Sequence, residues 1–100
     1  YDKYSDPKNQ AFVKAYVERY KQPPHYAGWG VYEGIKTYAD AVQRAGSTDG
    51  EKVRVALEKS SYEAILGPMR FDEHHQARTR MMWIVIDKGT PVVKELVAVK

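Results

Sequence analysis

The chain has 100 residues, 43% hydrophobic and 29% charged, which is enough for one domain with a core and too short for two lobes. No apolar run reaches the roughly 18 residues of a membrane-spanning helix, and the absence of cysteine excludes disulfides and thiolate zinc sites. The net charge of +3 is spread over interleaved acidic and basic residues, which favours a solvated surface over a nucleic-acid interface.

The first predicted element is a helix from about Pro7 to Tyr20. Asp6 is suited to cap its free amide groups, and proline is tolerated at the first helical position. Pro23 and Pro24 cannot continue a helix and end the segment. The predicted buried face consists of Phe12, Ala15, Tyr16 and Tyr20.

A second helix is expected from about Tyr26 or Ala27 to Ala45, with Gly46 ending it in a left-handed conformation. Three glycines in its first half indicate that another group packs closely against it, because glycine is otherwise unfavourable inside a helix. These glycines are Gly28, Gly30 and Gly34. Its predicted apolar face consists of Val31, Ile35, Tyr38, Ala39 and Val42.

The third predicted helix runs from Asp49 to about Lys59. Thr48 and Glu51 match a capping box, in which the side chain of each residue accepts a hydrogen bond from the backbone N–H of the other. Its buried stripe is predicted to be Val53, Ala56 and Leu57.

Short extended segments follow the helices. We expect a strand from Tyr62 to Leu66, a turn at Gly67-Pro68 and a second extended piece from Met69 to Phe71. The apolar run from Met81 to Ile86 is the clearest strand in the sequence and is expected to have both faces covered.

The last predicted element is a terminal β-hairpin. Asp87 to Pro91 contains turn-forming residues, and Val92 to Val99 resumes an extended pattern. Three helices followed by strands indicate an α/β or α+β fold.

Residues with catalytic or metal-binding chemistry do not form a recognisable site. The acidic and histidine cluster at residues 72–75 places His74 next to His75, and adjacent residues on a strand point to opposite faces, so a polar turn is favoured over a metal site. No nucleophile motif surrounds the serines, and the glycines at Gly28 and Gly30 follow no strand. We therefore predict no catalytic residues, no metal and no cofactor.

Trp29 has two interpretations. It lies between two glycines near the start of the second helix, just after Pro24, where a large side chain can project beyond the end of the helix. It is either a core anchor or part of the wall of a ligand site, because aromatic side chains are common in both settings.

The order of these signals resembles the C-terminal portion of the type 1 periplasmic binding proteins for branched-chain amino acids, the Leu/Ile/Val-binding family of ABC transporters. The resemblance covers nearly the whole chain. It is carried by Asn9, Phe12-Val13, Tyr16, Arg19-Tyr20, Pro23-Pro24, Tyr26-Ala27, Tyr32-Glu33-Gly34, Ala45 to Asp49, Val53-Arg54, Leu57-Glu58, Gly67-Pro68 and Phe71-Asp72.

The resemblance implies an α/β clamshell of two lobes, to which residues 1–100 contribute a single C-terminal fragment with a helical part at about 7–59 and a strand part at about 62–99. Met82 to Ile86 and Val92 to Val97 would cross toward the hinge. A family aromatic that contacts the ligand corresponds to Trp29 when Tyr32 is matched to the following family tyrosine, and Tyr26 is its neighbour. The loop here differs from the family by one residue in length.

The implied function is binding without catalysis. Such proteins capture a small amino-acid-like or organic-acid ligand in the periplasm or outside the cell, free or lipid-anchored, and deliver it to an ABC permease. The chain starts at Tyr1 without a methionine, so we expect it to be a fragment or a processed product. Its partners would include the remaining N-terminal part of the protein, and the isolated fragment is expected to self-associate.

Two other functions stay open at this point. A stand-alone basic α+β domain that binds nucleic acid or a protein partner is the alternative, and a small hydrolase or metal enzyme ranks last. Retention on heparin that weakens with salt would favour nucleic-acid binding, whereas a solute-binding protein is not expected to be retained.

Overall fold

The computed structural model describes residues 2–98, in which three helices precede two small antiparallel sheets. The helices are α1 (Pro7–Tyr20), α2 (Tyr26–Ala45) and α3 (Gly50–Glu58). The strands are β1 (Ser61–Ala64), β2 (Gly67–Phe71), β3 (Ala77–Arg78), β4 (Arg80–Asp87) and β5 (Thr90–Ala98). The predicted order of three helices followed by strands is confirmed, the short strand β3 was not predicted, and Val99 lies outside the described residues.

Helix α1 starts and ends where the sequence predicts. The Asp6 carboxylate accepts from the amides of Lys8 at 2.8 Å and Asn9 at 3.4 Å, and Lys21 adopts a left-handed conformation after the last turn. The predicted face is only partly correct: Phe12 and Tyr16 are half-buried, whereas Ala15 and Tyr20 are exposed.

Helix α2 buries a different face from the one that its hydrophobic pattern predicts. Its buried residues are Glu33, Thr37 and Ala41, and the helix as a whole packs against α3 and β1. Most of the predicted apolar face lies on the outside, with Val31 61% and Ile35 64% exposed, and Val42 is half-buried. The prediction is wrong for most of these residues because a helix face is buried only where another element covers it.

The glycine prediction is confirmed at one position of three. A Cβ at Gly28 would lie 3.3 Å from the Tyr16 ring, so α1 packs closely there. At Gly30 and Gly34, apart from the adjacent residues and the nearby backbone of α2 itself, no atom of residues 2–98 lies within 4 Å of that position.

Helix α3 is capped by a different residue from the one predicted. Asp49, not Thr48, accepts from the Lys52 amide at 3.1 Å, because the helix begins at Gly50 and Thr48 lies one residue too early. The predicted stripe is confirmed, since Val53 is buried and its companions Ala56 and Leu57 are half-buried.

The first of the two sheets has the strand order β1-β2-β3, and Ala64 of β1 pairs with Gly67 of β2. The turn therefore falls at Ile65-Leu66, and the predicted turn at Gly67-Pro68 is instead the start of β2. Gly67 has φ +107, a conformation that side-chain-bearing residues rarely adopt, so it is the glycine that lets the chain enter the new strand directly after the turn.

The predicted terminal hairpin is confirmed as β4 and β5, joined by Lys88 and Gly89, both with positive φ. The expectation that β4 is covered on both faces is wrong for the described residues. Met81, Trp83 and Ile86 are 60–68% exposed, because β4 pairs only with β5 and touches the rest of the described chain mainly at β2.

The described core is small and lies where α2, α3 and the β1–β2 turn meet. Its buried apolar residues are Ala41, Val53, Ala64, Ile65 and Leu66. No helix among residues 2–98 is long and apolar enough to cross a bilayer.

Candidate functional site

A cavity of about 440 Å³ lies between the N-terminal ends of α1 and α2, the β1–β2 turn and strand β4. Both residues predicted to contact a ligand, Trp29 and Tyr26, line it. The lining is mainly apolar and consists of Asp2, Asn9, Phe12, Pro24, His25, Tyr26, Trp29, Leu66, Met82 and Ile84.

The start of α2 positions the two aromatic side chains. The Pro23-Pro24 segment stops the chain from continuing α1, and His25 caps the new helix by accepting from the Ala27 amide at 3.5 Å. Tyr26 is the first residue of α2 and is 79% exposed, whereas Trp29 lies one turn further on and is half-buried.

The Trp29 indole N–H is buried and has no hydrogen-bond partner in the described part of the chain. A buried donor without a partner costs about 1–3 kcal/mol. An acceptor brought by a ligand or by another part of the protein would therefore stabilise this side chain where it lies.

Several cavity residues were not predicted as site residues. Asn9 is 1% exposed, and its side chain donates to the Tyr4 carbonyl at 2.9 Å, which holds the segment before α1 in place. Leu66 comes from the turn that the sequence placed two residues later. Met82 and Ile84 share one side of β4, so the alternation of an extended strand is the signal that could have paired them.

Glu33 lies one helical turn after Trp29 and is 6% exposed. Its Oε1 accepts from the Ile65 amide at 3.2 Å, and its Oε2 has no hydrogen-bond partner among residues 2–98. Burial raises the pKa of the Glu33 carboxyl above its usual range, because the charged form is desolvated, while the Ile65 amide and the charges of Lys8 and Lys36 act in the opposite direction.

The acidic and histidine cluster at residues 72–75 forms a polar turn between β2 and β3. The Asp72 carboxylate accepts from the amides of His74 and Gln76, both at 2.9 Å, and from Arg78 Nε at 2.8 Å. His75 lies 3.2 Å from a Glu58 oxygen. No group of three potential metal ligands occurs in residues 2–98.

Two comparisons of sequence identify relatives. A family model described as "Periplasmic binding protein" matches residues 1–91. The leucine-, isoleucine-, valine-, threonine- and alanine-binding protein of Pseudomonas aeruginosa is 32% identical over 68 residues, which are 68% of this chain and 18% of that protein.

Solved structures share the fold. An ABC-type branched-chain amino acid transporter protein from Rhodopseudomonas palustris CGA009 has a TM-score of 0.79 at 28% identity, over 97% of this chain and 28% of that chain. A solute-binding protein of an ABC transporter from R. palustris, in complex with benzoate, has the same TM-score at 21% identity, also over 97% and 28%. This chain therefore spans less than a third of the length of these relatives.

These relatives are solute-binding proteins, not enzymes, and the fold corresponds to part of a type 1 binding-protein clamshell. The chain belongs to the periplasmic binding protein family.

Proposed function

We propose that the chain is the C-terminal part of an extracytoplasmic solute-binding protein that captures a small amino-acid-like or organic-acid ligand between two lobes and delivers it to an ABC permease. The observation that carries this proposal is the apolar cavity beside Trp29 and Tyr26 in a chain of this family. We expect the natural protein to act in the periplasm or outside the cell, free or held by a lipid anchor, because its family is that of the periplasmic binding proteins.

The cavity suits a ligand with an apolar group and a hydrogen-bond acceptor. Aromatic and aliphatic side chains form most of its wall, and burying an apolar group against them is favourable. The unpaired Trp29 N–H is a donor that a ligand oxygen would satisfy. An aliphatic amino acid and an aromatic acid both meet this description.

Transport follows from a shift between two conformations. A ligand that touches both lobes binds the closed clamshell more tightly than the open one, so it raises the closed population. The permease then distinguishes the closed form from the open form. No bond of the ligand changes in this cycle.

The test is the affinity of the natural-length protein for leucine and for benzoate, measured by calorimetry. We expect Trp29→Ala to weaken the binding of whichever probe binds by about 1–3 kcal/mol without unfolding the protein. Trp83→Ala is the matched control, because Trp83 is the other tryptophan of residues 1–100 and does not line the cavity, and thermal unfolding of both variants separates a loss of binding from a loss of stability. An unchanged affinity in Trp29→Ala, or equal losses in both variants, would contradict the assignment of this cavity.

Large apolar surfaces are exposed in this chain, which suggests that another part of the protein covers them. We propose that this covering part is the N-terminal part of the same protein. The exposed surfaces comprise the predicted apolar face of α2 and the faces of the hairpin, and the relatives are more than three times as long as this chain. The 100-residue chain on its own is expected to self-associate in light scattering, because large exposed apolar patches pair. A monodisperse monomer that remains folded would count against this arrangement.

A further inference from the structure

The buried carboxylate of Glu33 ties two distant parts of the chain together. Its Oε1 accepts from the amide of Ile65, which is 32 residues away in the sequence, at 3.2 Å. The carboxylate is almost completely shielded from solvent, and no cation of the described residues pairs with it at salt-bridge distance. It therefore joins the middle of α2 to the turn between β1 and β2.

That turn is also part of the cavity wall. Ile65 and Leu66 are its only two residues, because Ala64 pairs directly with Gly67. Leu66 is 7% exposed and lines the cavity. The hydrogen bond from Glu33 thus acts on the residue next to a wall side chain, and without it the Ile65 N–H would be buried with no acceptor in the described structure.

Glu33 is also close along α2 to Trp29, which lines the cavity on the side of that helix. Trp29 precedes Glu33 by four residues in α2, so the two side chains share one side of the helix. Trp29 and Leu66 line the cavity from two separate elements, the start of α2 and the β1–β2 turn. Glu33 is the hydrogen-bonding side chain that links those two elements.

We propose that Glu33 is a positioning residue for this cavity, holding the Leu66 wall at a set distance from Trp29 through the hydrogen bond to Ile65. Burying a carboxylate is costly, and the hydrogen bond from the Ile65 amide offsets part of that cost. The hydrogen bond from Ile65 to Glu33 gives Leu66 one defined position relative to Trp29. The consequence for ligand affinity rests on the function proposed above, whereas the consequence for the wall does not.

The experiment uses the natural-length protein labelled with 5-fluorotryptophan, in which the ¹⁹F signal of Trp29 is identified by its loss in Trp29→Phe. Glu33→Leu removes the acceptor, Glu33→Asp shortens its reach, and Glu33→Gln keeps an oxygen that accepts from Ile65. We expect the Trp29 signal to move in Glu33→Leu and Glu33→Asp and to stay near its original position in Glu33→Gln. Leucine or benzoate affinity should fall about five-fold in the first two variants and stay within about two-fold in the third.

Glu63 supplies the matched control, because its carboxylate is on β1 close to the same turn and is 61% exposed. Glu63→Leu, Glu63→Asp and Glu63→Gln should leave the Trp29 signal in place. If Glu33→Leu does not fold, the comparison of Glu33→Asp with Glu33→Gln decides the question.

An unmoved Trp29 signal in Glu33→Asp, or the same displacement in Glu33→Gln, would overturn the positioning role. This readout needs no ligand, so it is independent of the Trp29→Ala affinity test. A displaced signal together with an unchanged affinity in Trp29→Ala would retain the positioning role and reject the cavity as the ligand site.

Discussion

The body of the molecule, residues 7–78, and the hairpin, residues 80–98, differ in what covers their apolar side chains. Every buried apolar residue of the described structure lies in the body, at the junction of α2, α3 and the β1–β2 turn. The hairpin contains no buried residue, although its strands are rich in Met, Ile, Val and Trp. Its order comes from the backbone pairing of β4 with β5.

This difference shows that an apolar pattern and actual burial are separate properties. An isolated two-stranded hairpin is marginally stable in water, and one apolar sheet face normally needs a covering layer. The predicted apolar face of α2 has the same property as the hairpin, because Val31, Ile35 and Tyr38 are largely exposed. Both surfaces fit the proposal that further chain covers them in the natural protein.

The largest expected effect comes from making the same substitution in each region. Ile65→Ala in the 100-residue chain should lower the free energy of unfolding by about 2–5 kcal/mol, because Ile65 is 6% exposed and its removal leaves a cavity. Ile86→Ala should change it by no more than about 0.5 kcal/mol, because Ile86 is 68% exposed. Urea unfolding followed by circular dichroism at low protein concentration measures both.

If Ile65→Ala and Ile86→Ala lower the free energy of unfolding equally, the proposed difference in burial between body and hairpin is wrong. Repeating Ile86→Ala in the natural-length protein extends this test. If an N-terminal part covers β4 there, the loss from Ile86→Ala should rise toward that of Ile65→Ala.

A smaller effect on stability is expected from replacing glycines of α2 with alanine, and its sign depends on whether another element packs against the glycine. Gly30→Ala should raise the free energy of unfolding by up to about 1 kcal/mol, because alanine favours the helix and no neighbour lies within 4 Å of the added methyl group. Gly28→Ala should gain less or lose stability, because its methyl group would meet the Tyr16 ring at 3.3 Å. Thermal unfolding of the pair tests this, and a larger gain at Gly28 than at Gly30 would contradict the packing of α1 on α2.

The smallest expected effect concerns pH and the turn at Asp72, which joins two strands of the body. Hydrogen bonds from the Gln76 amide, Arg78 and the His74 amide lower the pKa of the Asp72 carboxyl below its ordinary value. The folded state therefore favours the charged form, and the stability from this group is present above the unfolded pKa of about 3.9 and is lost as the pH falls through the lower folded value.

Asp72→Asn should accordingly be less stable than the original protein at pH 7, with the difference shrinking as the solution is acidified below pH 4. Unfolding curves measured between pH 7 and pH 2 give this difference directly. Asp87→Asn, at the exposed end of β4, is the control. A constant difference across that pH range for Asp72→Asn would show that its charge does not hold the turn.

Local signals predicted the helices well because their causes are local. The limits of α1 follow from the Asp6 cap and the two prolines, and Gly46 ends α2 with φ +59, as expected. The hairpin was predictable from the turn residues between two apolar runs. The cap of α3 was missed by one residue because Thr48 and Asp49 are both good capping residues and only the start of the helix distinguishes them.

The candidate site was only partly predictable. Trp29 and Tyr26 were identified from the resemblance to a family, and both line the cavity. Leu66 and Asn9 carry no local signal of a site, since an apolar turn residue and a polar helix residue are common everywhere. The link from Glu33 to Ile65 spans 32 residues, so no short-range pattern contains it.

The sequence by itself determined where α1 and α2 begin and end, the order of the three helices and the terminal hairpin, and the family, because capping, turn chemistry and residue order depend on neighbours along the chain. Only the tertiary structure decided which face of α2 is buried, which residues share the Trp29 cavity and where the Glu33 carboxylate finds its donor. Those features depend on which elements meet in space, and the free energy of burial is gained only where they meet.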